Sequence, residues 1–245
     1  MLHTFHKSET FFLLPLCSTI LQEVPTNPYL GINISNDLKW NTHVSSVISK
    51  ANSSLGLLRR NLHHCPATTR KTAYIALVRS TLEYGATIWD PYTQTEINRL
   101  EGVQRRAARF ITQDYKSRDP GCVTRMLNDL QLPPLQTRRK HLRLAFMYKI
   151  AEGLVPAIPP DSQLKPVRNK RRIRAKKFQD CVSQNFVEQN EINNSKCFIV
   201  PSSNTDIYKN SLFPKTIRQW NQLEESIVSA TSPDSFKQRL LTQLV

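Results

Sequence analysis

The chain has 245 residues, 39% of them hydrophobic and 8% aromatic, enough apolar material for a core and against wholesale disorder. Its 34 Lys+Arg against 19 Asp+Glu give a formal net charge of +15. That surplus repels itself in a compact fold unless a polyanion neutralises it, so nucleic acid is the first partner it implies and an acidic membrane surface the second.

Residues 11–21 form the one strongly apolar run, FFLLPLCSTIL. It is too short to span a bilayer, contains Pro15, and lacks the small-residue cleavage site of a signal peptide, so it reads as a buried strand with no membrane segment. After Pro25 and Pro28, residues 29–34 alternate in strand fashion. A strand pair this small cannot stand alone in water and needs a larger sheet or the helices that follow.

From Asn41 the period becomes helical, with Val44, Val47, Ile48, Ala51, Leu55, Leu58 and Leu62 on one stripe. Asn41 or Thr42 is placed to cap its start; Pro66 follows its end, and Thr68 is placed to cap the next helix. The second helix runs to about Leu82, with Ala73, Tyr74, Leu77 and Val78 inward, and Asp90-Pro91 marks a turn. A third spans 95–112, with Leu100, Val103, Ala107, Phe110 and Ile111 inward and Arg105, Arg106 and Arg109 pointing away. Short connections make these three a bundle.

Two further helices, 123–130 and 135–152, are split by Pro133-Pro134. Prolines at 156, 159, 160 and 166 then lead into a stretch, 165–177, rich in Arg and Lys and nearly without apolar residues, which reads as a linker or mobile arm. Beyond it, residues 197–200 read as a short strand. Phe213, Ile217, Trp220 and Leu223 mark one helix, and Phe236, Leu240 and Leu244 another capped by Ser232 or Asp234.

Polymerases and many nucleases hold two metal ions with closely placed carboxylates. This sequence has no adjacent Asp-Asp pair, and Glu83, Asp90, Glu96 and Glu101 each stand singly, so they read as solvated or capping carboxylates. His63, His64 and Cys65 are neighbours in sequence, but adjacent helical residues diverge by about 100° and do not converge on one ion. Cys17, Cys65, Cys122, Cys181 and Cys197 are odd in number and widely spaced, the pattern of reduced, structural, intracellular cysteines. No cofactor or metal is expected, and no catalysis.

The positive signal is basic. Lys50, Arg59, Arg60, Arg70 and Lys71 lie on the first two helices, Arg105, Arg106 and Arg109 on the third, and Arg138, Arg139 and Lys140 on the fifth. Arg168, Lys170, Arg171, Arg172 and Arg174 belong to the arm. Arg-rich helix faces suit a phosphate backbone, which tolerates variation in spacing. The arm suits either polyanion neutralisation or nuclear import.

Several stretches resemble the reverse transcriptases of non-LTR retrotransposons, the jockey-like and related lineages. They are Tyr29-Leu30-Gly31-Ile32 with Leu38 to Trp40, the run LGLLRRNL at 55–62, Leu82-Glu83-Tyr84-Gly85 with Trp89-Asp90-Pro91, and LEGVQRRAARF at 100–110. Arg138-Arg139, Met147 to Ile150 and FPKTIRQWN at 213–221 continue the likeness. In that family the Tyr-Leu-Gly strand closes the palm and the helices after it form the thumb, which grips the template-primer duplex. The resemblance therefore implies a mainly α fold: a short N-terminal β pair, a thumb-like bundle and a smaller C-terminal helical region.

On this reading residues 1–20 are an unassigned leader, 21–40 the palm-end strand pair and 41–115 the three-helix bundle. Residues 116–155 add helices, 156–180 form the basic arm, and 181–245 the C-terminal helical region. The family's fingers, paired catalytic aspartates and endonuclease have no counterpart here, so the expectation is a fragment that binds template-primer nucleic acid without polymerising; its parent would use Mg²⁺. The alternative is a non-catalytic helical interaction or structural protein of retroelement descent. The expected location is intracellular, nuclear or cytoplasmic.

Overall fold

The stripe that begins at Val44 folds into the first long helix, and the rest of the N-terminal half is arranged around it. A computed structural model describes residues 15–16, 19–20, 24–167 and 194–242. Two small antiparallel pairs come first: β1 (Pro15–Leu16) with β2 (Thr19–Ile20), and β3 (Thr26–Tyr29) with β4 (Ile32–Ser35). The described residues of the 11–21 run are thus two short strands paired with each other rather than one strand.

Residues 29–34 are not one strand either. Leu30 (φ 47°) and Gly31 (φ 79°) are both left-handed, so they form the two-residue loop of the β3–β4 hairpin. The Tyr84 hydroxyl donates to the Leu30 carbonyl at 3.0 Å and pins this turn to the helices.

Helix α1 (Asn41–Asn61) buries Val44, Val47, Ala51, Leu55 and Leu58, as its periodicity predicts. Neither Asn41 nor Thr42 caps it, because the helix starts one residue earlier than a cap at Asn41 would allow; the Trp40 carbonyl accepts from Val44 N–H at 2.8 Å. Arg59 and Arg60 sit in its last turn, where cations favour the dipole. α2 (Ala67–Ala73) is entered from Pro66 rather than from Thr68. It continues through a π-helical segment, Tyr74–Arg79, into α3 (Ser80–Glu83).

The π segment corrects one sequence expectation. Its wider turn keeps Tyr74, Val78 and Leu82 in line at four-residue steps and rotates Leu77 outward, 52% exposed. After α4 (Ala86–Trp89), α5 (Gln94–Thr112) buries Leu100, Val103, Ala107, Phe110 and Ile111 against α1 and α2. Buried Gln104 takes a bond from the Tyr74 hydroxyl at 2.9 Å and gives one to the Pro133 carbonyl at 2.9 Å, joining three segments through one side chain.

α6 (Cys122–Asp129) leads to α7 (Leu135–Ala151), whose N-terminus is capped across the fold: Glu101 accepts from Gln136 N–H at 2.9 Å. α7 serves two cores. Leu135 packs into the first, while Leu144, Met147, Tyr148 and Ile150 belong to the second. The second core is completed by α10 (Leu212–Asn221), α11 (Glu225–Val228) and α12 (Pro233–Thr242), with the Phe236 ring stacked on Tyr148 and Trp220, while the single turns α8 (Pro160–Gln163) and α9 (Asp206–Lys209) bury no side chain of their own. The expected strand at 197–200 is a single bridge, Phe198 to Pro166. Ser232 does cap α12, accepting from Ser235 N–H at 3.2 Å, and Leu244 lies outside the described residues. The fold is therefore mainly helical with a short N-terminal β pair. Among the described residues no helix is long and apolar enough to cross a membrane.

Candidate nucleic-acid interface

α1 and α5 run parallel, side by side. Arg99 on α5 donates to Ser45 Oγ on α1 at 3.0 Å, and Arg106, seven residues on, donates to Asn52 Oδ1 at 3.0 Å, so both helices advance together. A seven-residue step is two turns, about 10.5 Å of helix. The two guanidiniums thus repeat along one groove. Gly56 and Gly102 put no side chain beside it: a Cβ at either would meet only guanidinium nitrogens, at 3.7 Å.

Arg105 is exposed beside this groove and donates to the Asn98 carbonyl at 3.2 Å, a contact that leaves most of its donors outward. At the far end Arg60 is exposed, and the Arg59 guanidinium lies 5.3 Å from the centre of the Tyr115 ring. Arg99 was not among the sequence candidates; its seven-residue spacing from Arg106 was the available signal.

Other candidates fall elsewhere. Lys50 is exposed on the opposite flank of α1, the flank it shares with His43, which faces the hairpin. Lys71 is half-buried on α2, and Lys140 is exposed on α7. Arg138 is engaged with Glu83, its Nη2 donating at 2.9 Å and its Nε closer still. Arg168, Lys170, Arg171, Arg172 and Arg174 lie outside the described residues.

Three arginines read as phosphate contacts are committed to the interior. Arg70 is buried and donates to the Ile111 carbonyl through Nη2 (2.6 Å) and Nε (3.0 Å), and to the Cys65 (2.6 Å) and His63 (3.3 Å) carbonyls through Nη1. It thereby closes the C-terminus of α5 onto the α1–α2 turn. Arg109 is half-buried and holds the Asp114 and Ser117 carbonyls at 3.0 Å each. Arg139 is fully buried on Asp90. A guanidinium offers five donors, and the backbone carbonyls left without partners at a helix end can take them up.

Asp90 is likewise not the solvated carboxylate its sequence position implies. It is 8% exposed and meets three cations: Arg139 Nε on Oδ1 at 2.8 Å, and both Arg143 Nη1 and Lys215 Nζ (2.6 Å) on Oδ2. Arg143 also donates to Gln219 Oε1 at 2.8 Å. Burial pulls the Arg143 and Lys215 pKa values down, and the Asp90 charge opposes that. Of the other lone acids, Glu96 is buried and accepts from Arg99 at 3.1 Å.

His63 and His64 are exposed and meet edge-on, ring centres 4.8 Å apart. Among the described residues no group of three or more His, Cys, Asp or Glu side chains could hold a metal ion, and Cys65, Cys122 and Cys197 are free thiols. Compared with protein-family models, with curated proteins and with solved structures, the chain matches none.

Proposed function

We propose that this chain is a nucleic-acid-binding helical module of the non-LTR reverse transcriptase type, one that grips a template-primer duplex by its phosphates and carries no polymerase centre of its own. The observation that supports this reading most is the parallel α1/α5 groove, with Arg99 and Arg106 along it, no side chain beside it at Gly56 and Gly102, and Arg59, Arg60 and Arg105 around it. Guanidiniums fixed on a rigid helix pair present donors in planar forks suited to phosphate oxygens. Their hydrogen bonds to Ser45 and Asn52 hold each fork in place; Arg106 keeps its other nitrogens for a ligand, whereas Arg99 also spends Nη1 on Glu96. The formal charge of +15 supplies long-range attraction to any polyanion.

The test is fluorescence anisotropy with a labelled RNA–DNA hybrid at several salt concentrations. Neutralising phosphates releases counterions, so affinity falls steeply with salt, with a log–log slope of about 0.9 for each contact on a B-form duplex. Arg105→Gln with Arg106→Gln should weaken binding at every salt concentration and flatten the slope by roughly two such contacts. Lys140→Gln, on another face, should change neither by much. No binding at low salt, or a slope near zero, removes this reading.

A second reading draws on a different observation. Tyr29 and Leu30 on the hairpin, Leu38 in the link from β4 to α1, Tyr84 on the α3–α4 turn and Ile88 on α4 are exposed apolar side chains, of the kind suited to a protein partner. A helical interaction module would keep those side chains and show no salt-dependent binding to the hybrid.

A further inference from the structure

The Asp90 cluster is unbalanced in charge and in hydrogen bonds. One buried carboxylate faces Arg139, Arg143 and Lys215, whose side chains are 0%, 2% and 16% exposed. With all four groups ionised the cluster carries two uncompensated positive charges, and an unpaired buried ion costs several kcal/mol. The donor count has the same imbalance. Arg139 uses only Nε on Asp90; its Nη1 and Nη2 are buried with no acceptor in reach among the described residues, and so is Nε of Arg143.

From this we infer that the cluster is the binding site of a small monovalent anion of chloride size, held chiefly by the Nη1 and Nη2 donors of Arg139. Charge selects an anion over water, since water would satisfy donors without offsetting the surplus. Closure selects a small ion: Arg139 is wholly shielded from solvent, and a tetrahedral oxyanion needs room for several oxygens and brings a second charge that calls for more donors. Lys215, the partly exposed member, marks the side on which the cluster meets solvent. The ion would fasten α4, α7 and α10 together, the three elements that meet at Asp90. This site is independent of the nucleic-acid reading, because none of its donors lies in the α1/α5 groove.

The experiment is thermal unfolding of the full chain at constant ionic strength, with sodium gluconate replaced stepwise by sodium chloride. Binding to the folded state alone gives a saturable rise in Tm, of roughly 2–8 °C for a chain of this size. Bromide should substitute for chloride, and crystals grown in bromide should show an anomalous peak at hydrogen-bond distance from Arg139 Nη1 or Nη2. Arg139→Lys keeps the charge but removes the fork and should abolish the chloride response; Lys215→Met, at the rim, should weaken chloride affinity about tenfold while the protein stays folded. Equal Tm values in gluconate and chloride overturn the inference. So do a chloride response that both variants retain unchanged, which is general screening, and the lack of a bromide peak beside Arg139.

Discussion

His43 shows how far a single residue's chemistry is decided by its surroundings. Its ring is 2% exposed, 4.9 Å centre to centre from the Trp89 indole, and its Nδ1 accepts from the Asn33 N–H at 3.1 Å. Burial first, and the charge on Lys50 second, push its pKa below the ordinary 6.5. The folded state therefore resists a proton that the unfolded chain accepts, so stability is full above 6.5 and falls as pH drops through that value. Half-buried His141, lowered by burial and by Lys140 and Arg138, adds in the same direction. Asp37, Asp114 and Glu225 have lowered pKa values and lose their contributions only at more acid pH, so a window between 6.5 and about pH 5 isolates the histidines. Urea titrations across that window should show declining stability in the wild type and a shallower decline in His43→Asn, whose amide oxygen stands in for Nδ1. An unchanged decline would assign the titration to other groups. Nothing in the sequence marked His43, and the same blindness ran the other way for Arg70 and Arg139. Sequence shows that an arginine is charged; whether a carbonyl, a carboxylate or a phosphate takes its donors depends on what the fold brings near it.

At the scale of elements, apolar periodicity was the legible signal. The stripes of α1 and α5 are buried nearly residue for residue, because a helix with one apolar face has one way to hide it. What escaped was backbone irregularity: the left-handed Leu30 and the π segment at Tyr74–Arg79 carry no compositional mark. The α1/α5 groove was half legible, in that the Arg105–Arg106 cluster stood out while the parallel pairing that sets Arg99 beside Ser45 did not. Two glycines make the backbone argument testable. Gly85 has φ +62°, a left-handed conformation that strains any residue with a Cβ, and a Cβ there would come within 2.8 Å of Ile32 Cδ1, so the end of that side chain would have to shift as well. Gly102 sits inside α5 with only guanidinium nitrogens nearby, at 3.7 Å. Gly85→Ala should therefore destabilise the protein by about 1–3 kcal/mol. Gly102→Ala should stabilise it by about 0.5–1 kcal/mol, because alanine gives up less backbone entropy in a helix. Denaturant midpoints of the two variants should move in opposite directions; a shared direction would mean that the helix interior, not the left-handed turn, dominates both.

At the scale of the whole molecule, the described residues form two apolar cores that share α7, with Leu135 at one end and Leu144 to Ile150 at the other, and Asp90 clamped at the junction. Asp90 ends α4 of the first core, whereas its three cations come from α10 of the second core and from α7, which serves both. The clamp thus lets α4 of the first core cover cations carried by the shared helix and by the second core. Asp90→Asn keeps the shape and removes the countercharge, and breaking a buried ion pair in this way costs about 3–5 kcal/mol. The cheapest relief for the variant is to lift α4 away and let water reach Arg139, Arg143 and Lys215, which leaves the second core packed. Two tryptophans report on the two sides: Trp89 is fully buried in the first core and Trp220 nearly so in the second. With the other tryptophans replaced by Phe, each can be followed alone through a guanidinium titration. In the parent protein the two transitions should coincide, as a single cooperative unit requires. In Asp90→Asn the Trp89 transition should move to lower denaturant and separate from that of Trp220. Transitions that still coincide after the substitution would show that the cores are joined by the apolar packing along α7 and that the buried carboxylate has no part in their cooperativity.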